Sequence, residues 1–167
     1  MTQEVIRSYL DIKSLQDLKK VDKPSDEYFV SLSDPTNFQL NKFFYKNIGK
    51  KHKWVDRLTW SEEKWINYVS SKNVNSYVFK HKDNLVGFFE LIFHPENSET
   101  EIAYFGILEE YQNKKLGSFL LSEAIKKSFT ANIKRVWLHT CSLDHKHALN
   151  NYISRGMKIF KSEIVII

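Results

Sequence analysis

The segment with the clearest chemical use is Tyr111-Gln112-Asn113-Lys114-Lys115-Leu116-Gly117-Ser118. It follows a strand-like run and opens a helix with one apolar face. The first amides of a helix have no partner inside it and sit at the positive end of its dipole, so such a turn favours a phosphate. Gly117 lets a ligand approach the backbone closely, and Lys114 and Lys115 add positive charge. A second cluster gathers His139, Cys141, Asp144, His145 and His147. Its spacing matches no zinc pattern, and His145 and His147 diverge if they lie on a helix, so no metal is expected. His139 and Cys141 share one face of an expected strand. That leaves open a cysteine nucleophile activated by an imidazole, although a lone cysteine on an apolar strand is usually core.

Residue periodicity supplies the elements that must position these groups. Val5–Leu10 reads as a strand, Ser14 caps a short helix through Lys20, and Tyr28–Leu32 reads as extended. Pro35–Asn47 reads as a helix with Gly49 just past its end. Thr59-Trp60-Ser61-Glu62 has capping-box spacing ahead of a helix carrying Trp65, Ile66 and Val69. The period then changes to two. Ser76–Lys80 and Leu85–Phe93 read as strands joined at Lys82-Asp83-Asn84, and Glu101–Leu108 as a third strand. The remainder alternates: a helix from Lys115 to Phe129, a strand at Arg135–Cys141, a helix from His145 to Arg155 and a strand at Lys158–Ile167. Such crossovers make neighbouring strands parallel. The expectation is a mixed α/β sheet with helices on both faces.

Composition narrows the function classes. The 167 residues suit one domain. Lys plus Arg number 25 against 20 Asp plus Glu, and the charges are scattered. A nucleic-acid footprint would need a continuous basic stripe or a reading motif, so no nucleic-acid partner is expected. No apolar run approaches a membrane span, and the N-terminus carries no signal-like h-region, so neither membrane nor export is expected. A single cysteine, Cys141, allows no intrachain disulfide and suits the cytoplasm.

Two motifs carry a resemblance. Gln112 through Gly117 resembles the acetyl-CoA signature of the GNAT superfamily of N-acetyltransferases, which runs Gln/Arg-x-x-Gly-x-Gly/Ala after a strand. Gln112 takes the first position and Gly117 the last, while Lys115 stands where the middle glycine usually is. Ala148-Leu149-Asn150-Asn151-Tyr152-Ile153-Ser154-Arg155-Gly156-Met157 resembles the later motif Ala-x-x-x-Tyr-x-x-x-Gly-Phe. Glu101–Gly106 and His139–His145 look like a bacterial single-domain subgroup.

The resemblance implies a GNAT-like, mostly antiparallel sheet. Residues 1–75 would supply the first strand and the acceptor-side helices, and residues 76–167 the acetyl-CoA-binding core. It implies direct acetyl transfer from acetyl-CoA to an amine, without a metal. The cosubstrate would contact Ile107, Gln112, Asn113, Lys114, Lys115, Leu116, Gly117, Ser118, His145 and Asn151. Glu101 would be the general base and Tyr152 the general acid. The backbone N–H of Ile107 would face the thioester oxygen, and Lys115 can offer its own N–H if its φ is negative. The acceptor would be a small-molecule or peptide amine, walled in part by Trp54, Arg57, Trp60 and Trp65. Homodimers occur among such enzymes. The alternative is a non-catalytic GNAT-like module that senses acyl-CoA or joins a partner.

Overall fold

Segments rich in β-branched and aromatic residues build seven strands: β1 (Glu4–Ile12), β2 (Tyr28–Leu32), β3 (Val74–His81), β4 (Asn84–His94), β5 (Glu99–Ile107), β6 (Arg135–Cys141) and β7 (Lys158–Ile166). Four helices join them: α1 (Phe38–Gly49), α2 (Glu62–Val69), α3 (Leu116–Ser128) and α4 (Ala148–Ser154). The computed structural model describes all residues, 1–167. The strands form one sheet in the order β2-β3-β4-β5-β6-β1-β7. Only β5 and β6 pair in parallel; the other pairings are antiparallel.

The fold is the mixed, mostly antiparallel α/β sheet expected from the sequence, with one difference in strand order. β7 does not lie beside β6. The N-terminal strand β1 inserts between them and pairs antiparallel with both. Alternation along one strand reveals which of its faces is buried, but not which distant strand comes to lie beside it.

The two faces of the sheet are covered differently. α3 buries Leu116, Phe119, Leu120, Ala124 and Ile125 against Leu10, Phe89, Leu91, Val136 and Leu138, and Tyr152 of α4 closes this larger core. On the opposite face α1 lays Phe44 and Ile48 over Val78 and Phe88, with the Phe44 and Phe88 rings stacked 5.0 Å apart. Asn37 caps α1 by accepting from Leu40 N–H. α2 is capped by Ser61, which accepts from Lys64 N–H, rather than by the box starting at Thr59. The expected helix after Ser14 is a single 3-10 turn, Leu15–Asp17.

Gly49 ends α1 for a reason of space. A Cβ there would fall 2.5 Å from Cβ of Trp54. The glycine lets the following loop fold back so that Trp54 packs edge-on to Tyr104 at 4.8 Å. This loop, residues 50–61, becomes one wall of the site.

Candidate active site

The site begins where two strands part. Glu99, Thr100 and Glu101 pair with Arg135, Val136 and Trp137, and the β5–β6 ladder ends there. A bulge accompanies the parting. Glu90 faces Tyr104 and Leu91 faces Ile102, which leaves Ala103 as an extra residue on β5. A bulge bends its strand and increases its local twist, so β5 swings away from β6. It also resets the alternation, so that Glu101 and Tyr104 come to the same face, toward α1 and α2. The cleft thus opened has a volume of about 1450 Å³.

Backbone direction along β5 follows from one bond. Leu108 N–H donates to Val86 C=O across the β4 side, at 2.8 Å. Alternation in an antiparallel ladder then turns the N–H and C=O of Ile107 away from β4, into the cleft. Gln112 Nε2 donates to that Ile107 carbonyl at 3.2 Å, which leaves the Ile107 N–H facing the opening.

Beyond β5 the chain makes the turn expected to hold a diphosphate. Gln112, Asn113, Lys115, Leu116, Gly117 and Ser118 all line the cleft. Lys114 does not; its Nζ lies 5.5 Å from the centre of the Tyr111 ring. Lys115 is the residue before α3 and has φ +62°, so the condition set for its N–H, a negative φ, is not met. The turn needs a left-handed residue there, the conformation glycine adopts without strain. No side chain caps the free amides of α3 at this residue. Asn151 Nδ2 braces the turn by donating to Gly117 C=O at 3.2 Å.

The space beside Gly117 is open, as a phosphate at this turn would require. A Cβ added to Gly117 would meet only Asn151 Nδ2, at 3.7 Å, so the fold itself does not demand glycine there. The open volume lies on the cleft side. Replacing Gly117 with Leu is therefore expected to leave the melting temperature within about 2 °C and to lower coenzyme A affinity by about tenfold or more. Calorimetric titration beside thermal melts checks both.

The remaining expected residues line the same cleft. Tyr152, buried against Phe105 at 6.3 Å between rings, has its phenol pushed up by burial and then by Asp144. Asp144 accepts from Thr140 Oγ1 and, at 3.0 Å, from Cys141 N–H, which pins the loop that carries His145. Burial, then the neighbouring His147, His52 and Lys146, hold the His145 imidazole below its usual range. Cys141 and His139 also line the cleft. Burial raises the Cys141 thiol, which disfavours a thiolate nucleophile. Solvent reaches His139, yet the crowded cleft wall and then Arg7 hold its imidazole low.

Glu101 lies at the vertex of the cleft and is largely buried. Its Oε1 sits 3.0 Å from His94 Nε2, while His94 Nδ1 lies 3.6 Å from Glu96 at the surface. The His94 ring also stacks over Trp137 at 6.1 Å. The sequence reading missed His94. The signal was available: a turn at 95–98 brings His94 across the hairpin to the residues just before Glu101.

The opposing wall is built on a buried ion pair. Arg57 donates through Nη1 and Nη2 to Glu90, at 2.9 and 2.6 Å. Tyr68 O–H and Asn41 Nδ2 donate to the same carboxylate. The rings of Tyr45, Trp60, Trp65, Tyr68 and Tyr104 surround the Arg57 guanidinium within 5.7 Å. Burial opposes its charge, but the Glu90 carboxylate more than offsets this and keeps the guanidinium pKa above its ordinary value. Of the four aromatic and basic residues expected on the acceptor wall, Trp54 and Arg57 line the cleft. Trp65 is core, and Trp60 packs edge-on to it at 5.1 Å.

A diverging strand pair, a bulge beside it and an uncapped helix N-terminus thus meet at one cleft. The sequence profile of the acetyltransferase (GNAT) family matches residues 36–157, and the chain belongs to that family. Solved structures share the fold. A GCN5-related N-acetyltransferase from Kribbella flavida superposes with a TM-score of 0.69 at 14% identity, over 99% of this chain and 58% of its own. An aminoglycoside acetyltransferase from an uncultured soil metagenomic sample gives 0.64 at 11% identity, over 80% of this chain and 90% of its own. A Bacillus subtilis acetyltransferase in complex with CoA gives 0.56 at 19% identity, over 77% and 75%. The chain spans between 50% and 65% of the length of the first four structures it matches. No curated sequence matches it. No helix is long and apolar enough to cross a membrane.

Proposed function

We propose that the protein transfers an acetyl group from acetyl-CoA to a primary amine by direct attack within a ternary complex. The observation that carries this reading is the convergence on one cleft of the uncapped start of α3, the cleft-facing Ile107 N–H, the Tyr152 phenol and the Glu101 carboxylate. Residues 76–167 supply the coenzyme side. The acceptor side comes from residues 1–75, chiefly the loop of Trp54 and Arg57. A lone cysteine and acetyl-CoA chemistry suit the cytoplasm.

Each side chain has a definable task. An alkylammonium has a pKa of about 10, so the amine must lose a proton before it attacks. Glu101 accepts that proton at Oε1, directly or through one water. His94 holds the carboxylate in place and links it to Glu96, giving the proton a path to solvent. The Ile107 N–H donates to the oxygen that gains charge, as in an oxyanion hole. Tyr152 stays protonated because its phenol is pushed up, so its O–H remains a donor for the departing sulfur. The α3 amides, Gln112, Asn113, Lys115 and Ser118 hold the coenzyme's diphosphate. Lys114 lies outside this set.

Thiol release over a panel of amines tests the reaction. Tyr152→Phe is expected to lower kcat by roughly tenfold to a hundredfold while coenzyme A affinity is kept. If the chain were a non-catalytic acyl-CoA sensor, no thiol would be released with any amine, and Tyr152→Phe would leave its binding function intact.

A further inference from the structure

We infer that Arg7 binds a carboxylate carried by the acceptor, so that the amine acetylated belongs to a small amino carboxylate such as a free amino acid. This deepens the acetyl-transfer reading above and rests on it. Arg7 stands on β1, opposite Cys141 of β6, and lines the cleft. Its Nε is buried and has no hydrogen-bond partner. The nearest carboxylate of the chain, Glu163, lies 3.9 Å from Nη1, beyond hydrogen-bond reach. That carboxylate is already engaged. It accepts from Tyr9 O–H at 2.9 Å and sits 3.5 Å from the Lys161 ammonium. A buried donor without a partner is costly, and a ligand that brings the acceptor accounts for it.

Strand register puts Arg7 on the same face as the proposed base. Trp137 of β6 pairs with Glu101, Cys141 pairs with Arg7, and residues 137, 139 and 141 alternate onto one face. The intervening Val136 and Leu138 pack under α3. Glu101, His139, Cys141 and Arg7 therefore share the opposite face, toward α1 and α2. Glu101 and Arg7 are two strands across and four residues along from each other, with Cα atoms about 16 Å apart. A long side chain reaches in from one end and a shorter one from the other, and His139, between them, feels both charges. A molecule of amino-acid size bridges that gap, its amine at Glu101 Oε1 and its carboxylate on the guanidinium.

The other lysines and arginines lining the cleft are engaged or lie elsewhere. Arg57 is held by Glu90, and Lys53 donates to Gln3 at 3.0 Å. Lys115 and Arg155 belong to the ends of α3 and α4, on the coenzyme side. The cleft is also bridged near Arg7. Lys53 Nζ reaches Gln3, just ahead of β1, and His52 Nδ1 donates to Leu143 C=O, just past β6, each at 3.0 Å. These ties carry the 50–61 loop across the gap and leave room for a small molecule rather than an extended polypeptide. A protein lysine or a peptide N-terminus would in any case bring an amide where Arg7 needs a carboxylate.

Two measurements test the site, one with turnover and one without. Thiol release from acetyl-CoA is followed with the standard amino acids and with the carboxamide of each, which keeps the shape and removes the charge. Calorimetry follows binding of the same compounds to the protein loaded with coenzyme A, which has no acetyl group to give. For the best acceptor, the acid is expected to exceed its carboxamide by about tenfold or more in kcat/KM and in affinity. Arg7→Met should remove most of that preference through KM, and Arg7→Lys should keep part of it. Glu163→Gln should keep the preference, whereas a role for Arg7 in bracing β7 alone would make it behave as Arg7→Met does. Thermal melts verify that each variant is folded. A binding preference for acids without thiol release from any amine would leave the Arg7 site standing and end the acetyl-transfer reading. Acids and carboxamides that bind and react alike, a preference that survives Arg7→Met, or amino acids that neither bind nor react would overturn the inference.

Discussion

Glu101→Gln is expected to lower kcat/KM by about 10²- to 10⁴-fold near neutral pH, with coenzyme A affinity changed by less than about twofold. The substitution keeps the shape and most of the polarity at the cleft vertex and removes only the site that accepts a proton. Glu101 stands before the bulge, whereas the diphosphate turn lies beyond the far end of β5, so binding and proton transfer are separable in this protein. Steady-state rates against pH sharpen the test. The amine must lose a proton before it attacks, so high pH, where free amine is already available, should restore part of the Gln variant's rate. His94→Gln retains a donor to Glu101 and should be milder than His94→Phe. If Glu101→Gln keeps the wild-type rate and pH profile, another group or bulk water takes the proton, and the exposed His139, held neutral, is the next to replace.

Much of this arrangement was legible in the residues. The runs that became β3, β4 and β5 stand out between turn residues, and the turn before α3 lies on the cleft where the sequence placed it. What stayed hidden depends on contacts distant in sequence. The insertion of β1 between β6 and β7 is set by pairing across more than a hundred residues of chain, which local periodicity cannot carry. The bulge at Ala103 is invisible because an extra residue in a strand leaves the composition unchanged. Lys115 is more telling. Glycine is usual where the turn needs φ above zero, and the lysine accepts that conformation at a cost of roughly 1–2 kcal/mol. Glu90 gave a signal that was not used: a single carboxylate inside Leu85–Phe93, an otherwise apolar run, requires a buried cation, and Arg57 is that cation.

Arg57→Ala is expected to destabilise the fold by about 3–5 kcal/mol, which lowers the melting temperature by roughly 10 °C. The cost comes less from the lost attraction than from what remains. Glu90 is 0% exposed, and without the guanidinium its carboxylate keeps only Tyr68 and Asn41 as donors. A stranded carboxylate can escape this penalty by binding a proton, so the deficit should shrink on going from about pH 8 to about pH 5. Replacing both partners with methionine removes the buried charge altogether and should recover most of the stability, because a buried ion pair adds little net energy over apolar packing. Activity should not return with it. The Arg57 backbone N–H donates to Tyr45 O–H at 3.1 Å, and its side chain ties the 50–61 loop to β4, directly behind Tyr104 and Trp54. A double variant that is stable yet has a raised KM for every amine would show that the pair exists to hold the acceptor wall in place. Full activity in that variant would mean the wall needs only packing.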